Sequence, residues 1–123
     1  MYQLLLDFDE IDEVKSSDVP FHVGLQFEAA FDFNFPFRPL LEFIRARVSE
    51  HAGTAELVLP EYIEFEDFIV GELKLPDRTI GVYFEYSLCY LSFSSPRRED
   101  LELLVNCSHG LAFHHEGYGL QDG

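Results

Sequence analysis

Basic residues are scarce in this chain, tryptophan is absent, and cysteine occurs only twice. Eight Lys and Arg stand against 23 Asp and Glu, a formal charge of −15 with histidine neutral. Phosphate backbones and anionic lipid surfaces are repelled by such a charge rather than neutralised, which argues against nucleic-acid and membrane-surface binding. The two cysteines, Cys89 and Cys107, supply neither a disulfide framework nor a recognisable zinc pair, and read as free buried thiols. No apolar run approaches the roughly 20 residues of a membrane helix. The stretch from Met1 to Asp7 carries no basic residue and runs directly into acid, unlike a secretory signal. The expected location is therefore cytoplasmic. A Gly-rich phosphate loop, a G-x-S-x-G elbow and EF-hand spacing are also missing, so neither a cofactor nor a catalytic residue is expected.

What is present is an apolar complement of 47 %, too high for general disorder, and dominated by aromatics: 13 Phe and 6 Tyr. Aromatic and β-branched residues favour strands. A length of 123 residues fits one domain, 1–123, with 117–123 read as a frayed tail. The clearest pattern is strict alternation from Phe21 to Phe37, where every odd position is apolar. That periodicity predicts a long strand with an aromatic inner face, bent near Ala29-Ala30 and ending at Pro36. Pro39 suits a first helical turn, Leu40, Leu41, Ile44 and Val48 recur at helical spacing, and Gly53 marks the stop.

Strands are then expected in succession. Leu57, Leu59, Ile63 and Phe65 alternate around Pro60, and Phe68–Leu75 ends in the turn signal Pro76-Asp77-Arg78-Thr79. From Ile80 to Phe93 both faces are partly apolar, as in a twice-covered central strand, unless a turn near Tyr86-Ser87 divides it. Ser94 or Ser95 with Pro96, Glu99 and Asp100 then announces a second helix, with Leu101, Leu104 and Val105 as its stripe and Gly110 as its end. Leu111-Ala112-Phe113 gives a last short strand, and Tyr2, Leu4, Leu6 and Phe8 favour a first one. The fold class is α+β, a mainly antiparallel sheet of about five to seven strands with two helices on one face.

Three groups of residues bear on chemistry. His109, His114, His115 and Glu116, with Cys107 nearby, form a histidine-rich C-terminus, but they match no zinc spacing, and in a strand His114 and His115 point to opposite faces. Glu72-Leu73-Lys74 with Asp67 upstream has the outline of a nuclease metal site, but Asp67 lies too close in sequence to come from a preceding strand and the acidic chain would repel DNA, so an ion pair on a solvated strand is the expected reading. The third group is acidic. One cluster holds Asp7, Asp9, Glu10, Asp12 and Glu13; the other holds Glu61, Glu64, Glu66, Asp67 and Glu72, with Tyr62, Phe65 and Phe68 interleaved. Clustered like charge opposes folding, and its clearest use is to steer a cationic partner while aromatics supply contact area.

Small size, strong acidity and the lack of a catalytic kit make the chain resemble the immunity proteins of bacterial toxin systems. The resemblance is one of type across the whole chain and is carried by no motif. It implies a non-enzymatic inhibitor that occludes a basic toxin, with Asp9, Glu10, Asp12, Glu13, Glu61, Tyr62, Glu64, Glu66, Asp67 and Glu72 as partner-binding residues. Two other classes stay open: a metal-dependent hydrolase using His109, His114 and Glu116, and a structural or regulatory domain docking on a basic protein.

Overall fold

The computed structural model describes residues 2–28 and 33–115. In chain order these contain β1 (Tyr2–Leu5), β2 (Asp12–Glu13), β3 (Phe21–Gln26), α1 (Phe37–Ala52), β4 (Glu56–Val58), β5 (Phe68–Leu75), β6 (Arg78–Glu85), β7 (Tyr90–Ser95), α2 (Arg98–Ser108) and β8 (Ala112–His115). Six strands form one antiparallel sheet in the order β2-β3-β7-β6-β5-β4, while β1 and β8 pair antiparallel in a ribbon of their own. This is the α+β architecture the sequence leads one to expect. No helix among the described residues is long and apolar enough to cross a membrane.

Alternation gives the sheet two unlike faces. Val23, Leu25, Ile69, Leu73, Ile80, Val82, Phe84, Leu91 and Phe93 turn inward and are buried. Against them lie Phe37, Leu40, Leu41, Ile44 and Val48 of α1 and Leu101 and Leu104 of α2, two helices that also pack on each other. Phe37 stacks on Phe84 with ring centroids 4.7 Å apart, fixing the start of α1 over β6. The β1–β8 ribbon is extended by Leu6 N–H to the Leu111 carbonyl and tied to the sheet by Asp9 N–H to the Gly24 carbonyl of β3, both 2.9 Å.

Several expectations are corrected. The alternation from Phe21 to Phe37 is not one strand: β3 ends at Gln26, and α1 begins at Phe37 behind Pro36. Phe27 and Phe35 meet at 5.3 Å, so the aromatics share a core because the chain doubles back. The proposed bend near Ala29-Ala30 lies outside the described residues, as do Glu116 and the tail 117–123. Pairing after Ala55 covers only Glu56–Val58, and Ile63 and Phe65 lie exposed in a loop. For the segment from Ile80 the alternative of a dividing turn holds: a turn at Tyr86–Cys89 separates β6 from β7 and leaves Leu88 exposed.

The serine expected to cap α2 has a different task. Ser95 ends β7 and is buried; its hydroxyl donates to Asp100 Oδ2 at 2.6 Å and accepts the Arg97 N–H at 3.1 Å. Asp100, also buried, receives Arg78 at 3.2 Å and Arg97 at 3.3 Å, so a carboxylate in the first turn of α2 ties that helix to β6. Cys89 and Cys107 are both buried and unbridged, and burial pushes the Cys107 thiol up in pKa.

Candidate protein-binding surface

The sheet face away from the helices is uncovered by any described element. Register lays its side chains in rungs. Phe68, Glu85, Tyr90 and Gln26 form one; Val70, Tyr83, Ser92 and Gly24 the next; Glu72, Gly81, Ser94 and His22 a third, reaching Val58 at one edge and Asp12 at the other. The middle is floored by small residues. A Cβ on Gly24 would come within 2.9 Å of the Tyr90 ring, so glycine lets that ring lie flat across the strand.

Ahead of β5 the loop from Leu59 to Asp67 closes against the start of α1, where Tyr62 lies under the Arg38 guanidinium and Phe65 meets Phe33 edge-on at 5.4 Å. Val58, Tyr62, Ile63, Phe65, Phe68 and Val70 are all exposed large hydrophobic residues there. Exposed carboxylates accompany them: Glu56, Glu61, Glu64, Asp67 and Glu72. Val58, Leu59, Pro60, Val70, Gly71 and Glu72 line a shallow groove of about 450 Å³ where β4 parts from β5. Phe65 is 66 % exposed and adopts φ 60°, the left-handed region that bulky side chains avoid.

The loop is held from beneath by Glu66. Its side chain is buried and accepts Arg38 Nε at 2.9 Å and Arg38 Nη2 at 2.8 Å, with the Tyr86 hydroxyl at 3.0 Å. The Arg38 guanidinium also lies 5.5 Å from the Tyr62 ring centroid. Glu66 therefore leaves the set of partner-facing residues: it is a buried strut, while its neighbours Glu64 and Asp67 point outward.

The remaining expected site residues divide by position. Glu61, Tyr62, Glu64, Asp67 and Glu72 are all exposed, and of these Glu72 lines the groove. Asp9, Glu10, Asp12 and Glu13 are exposed as well, but β2 carries Asp12 and Glu13 at the opposite edge of the sheet, so the two acidic clusters are separate. Their fields both reach the face between them. Tyr90 is raised in pKa by burial first and by the Asp9 carboxylate next; Tyr83 is pushed up to about 12, chiefly by donating its hydroxyl to Glu85. Glu85 is held below the ordinary carboxylate range by the Tyr83 and Ser87 hydroxyls. Sequence reasoning overlooked Val58, Val70 and Glu85, whose placement depends on the register of β4, β5 and β6.

Of the residues named for the catalytic alternatives, all but Glu116 are described. Glu72 and Lys74 sit on the outer face 3.9 Å apart, both half-exposed, as an ion pair on a solvated strand. His109 Nδ1 accepts the Phe8 N–H at 3.2 Å. His115 stacks on Phe113, and alternation turns His114 to the other side of β8. Among the described residues no three His, Cys, Asp or Glu side chains group as metal ligands.

No protein-family model matches this chain, and no curated protein or solved structure is similar to it at a significant level.

Proposed function

We propose that the chain is a non-enzymatic protein-binding inhibitor of the immunity type, neutralising a basic protein toxin by covering its active site. The observation that supports this reading is the coincidence of exposed apolar side chains and carboxylates at one end of the sheet. Val58, Tyr62, Ile63, Phe65, Phe68 and Val70 are exposed among Glu61, Glu64, Asp67 and Glu72. Contiguous exposed apolar surface on a highly charged protein marks an interaction site. Aromatic side chains supply the desolvated contact area of such a site, and flanking carboxylates steer a cationic partner onto it. A nuclease toxin needs a basic groove for its phosphates, and a surface of this composition complements one.

Co-purification tests the reading, using a host that expresses the chain together with its neighbouring open reading frame. A basic partner that is toxic when expressed alone is the expected result. Changing Glu61, Glu64 and Asp67 together to lysine should slow association about tenfold or more and remove its salt dependence. A folded chain that recovers no partner, or affinity unchanged by the triple substitution, overturns the proposal.

A further inference from the structure

The first half of β5 has a strand neighbour on one side only. β6 pairs with all of β5 from Phe68 to Leu75, whereas β4 pairs only with Glu72, Leu73 and Lys74. Pro60 explains the stop. The next step of that ladder beyond Val58–Glu72 falls at Pro60 and Val70, and proline has no N–H to contribute. Leu59 turns inward there, where Gly71 leaves room for it: a Cβ at Gly71 would lie 2.5 Å from Leu59 Cδ2.

Register also fixes where the backbone groups of this half-strand point. The Asp67 carbonyl accepts the Tyr86 N–H at 2.8 Å, and Leu75 faces Arg78 across the two-residue turn Pro76-Asp77. In an antiparallel ladder, hydrogen-bonded and non-bonded pairs alternate, so the odd-numbered residues of β5 bond to β6. Phe68 and Val70 consequently aim their N–H and C=O groups at the side β4 has left. Among the described residues no strand occupies that side. Their side chains are 56 % and 64 % exposed on the outer face.

Proteins usually blunt such an edge with Lys, Pro or a covering segment. Here the bordering exposed charges are Glu61, Glu64, Asp67 and Glu72. A second copy would bring the same carboxylates into register with these, so the edge opposes self-pairing and matches a cationic strand. We infer that Phe68–Val70 is an acceptor edge for an extended basic segment of the partner protein, which joins the sheet as an added strand. Main-chain bonds form to Phe68 and Val70, one set of side chains lies beside Val58 and Val70, and Lys or Arg residues reach the bordering carboxylates. This rests on the protein-binding reading above and specifies its mode.

The probe is a synthetic peptide of about eight residues alternating lysine and valine, long enough for one strand. It is titrated into the full ¹⁵N-labelled chain, beside the same peptide N-methylated at its central residues. Expected are shifts and slowed exchange at the Phe68 and Val70 amides, and binding at least about tenfold weaker for the methylated peptide, which keeps the side chains but loses its donors. Equal binding of both peptides overturns strand addition while leaving the inhibitor reading untouched, because charge would then suffice. Absence of binding, or shifts elsewhere, also overturns it. Concentration-dependent shifts at the same amides without peptide would give the edge to a second copy and likewise overturn it. Co-purification, which is blind to mode, still judges the inhibitor reading separately.

Discussion

Replacing Glu66 by alanine removes the acceptor of three hydrogen bonds, two from Arg38 and one from the Tyr86 hydroxyl. Glu66 is 4 % exposed and the Arg38 side chain 17 %, so the pair sits at the margin of the core. Removing one member of a buried pair costs about 3–5 kcal/mol, and partial access of Arg38 to water places this case at the low end, near 3 kcal/mol. Unfolding entropy of about 2.1 cal/mol/K per residue over 123 residues gives roughly 0.26 kcal/mol/K, hence a fall in Tm of about 12 °C. Thermal and urea unfolding measure it. Glu66→Gln keeps an acceptor for Tyr86 without the charge and should lose about half as much. Native-state hydrogen exchange supplies the local readout: amides from Ile63 to Asp67 should open more readily in Glu66→Ala than the decline in global stability alone requires. A Tm within about 3 °C of the parent, with exchange in the loop unchanged, would refute the assignment of Glu66 as its strut.

Two further predictions concern the sheet. Tyr83 should ionise near pH 12 rather than near 10, read as the late phenolate component that Tyr83→Phe removes from an ultraviolet titration. Because the folded pKa is raised, the stability this group contributes is present below pH 10 and is lost as pH climbs towards 12; for Glu85, whose folded pKa is lowered, it is present above about 4.5 and lost as pH falls further. Gly71→Ala would place a methyl group 2.7 Å from the Val58 carbonyl oxygen, so β4 must move, with an expected loss of about 2 kcal/mol in urea unfolding. A denaturation midpoint indistinguishable from the parent would show that β4 yields freely.

Local signals carried α1 almost whole. Leu40, Leu41, Ile44 and Val48 at helical spacing, with Pro39 early and Gly53 at φ 88°, are statements about neighbours in sequence, and they hold in the fold. Where the outcome depends on distant partners the sequence is silent. Alternation from Phe21 to Phe37 has two physical solutions, one long strand or a chain that doubles back on its own aromatics; the Phe27–Phe35 contact selects the second. Glu64 and Glu66 look alike in a run of acids, yet one is exposed and the other buried. The difference lies in Arg38 and Tyr86, which reach Glu66 from 28 and 20 residues away and are visible only once the chain is folded. The same holds for Asp100, a first-turn acid by position, which the Arg78 side chain from β6 converts into a buried tie.

The distribution of charge bears on whether solubility alone accounts for the acidity. Carboxylates placed for solubility serve equally well anywhere, and apolar groups among them work against that end. In the loop from Leu59 to Asp67 the two are interspersed: Ile63 and Phe65 are among the most exposed hydrophobic side chains described, each beside Glu64. Phe65 in addition keeps a left-handed backbone, a conformation that costs a non-glycine residue on the order of 1–2 kcal/mol. Neither exposure nor strain contributes to the stability of the folded chain. Backbone strain of this kind persists where the surrounding structure over-determines it, and such places cluster at ligand-contacting surfaces. Glu66, fixed from below by Arg38 and Tyr86, and the edge-on contact of the Phe65 ring with Phe33 at 5.4 Å together hold this loop. Beside the N-terminal acids Asp9, Glu10, Asp12 and Glu13 the exposed large hydrophobic residues are aliphatic, Leu5, Val14 and Val19, and among the described residues no phenylalanine or tyrosine is exposed there. On the protein-binding reading proposed above, the edge that meets the partner is therefore the second, where Tyr62, Phe65 and Phe68 are exposed among carboxylates, and the first asks for no more than solubility.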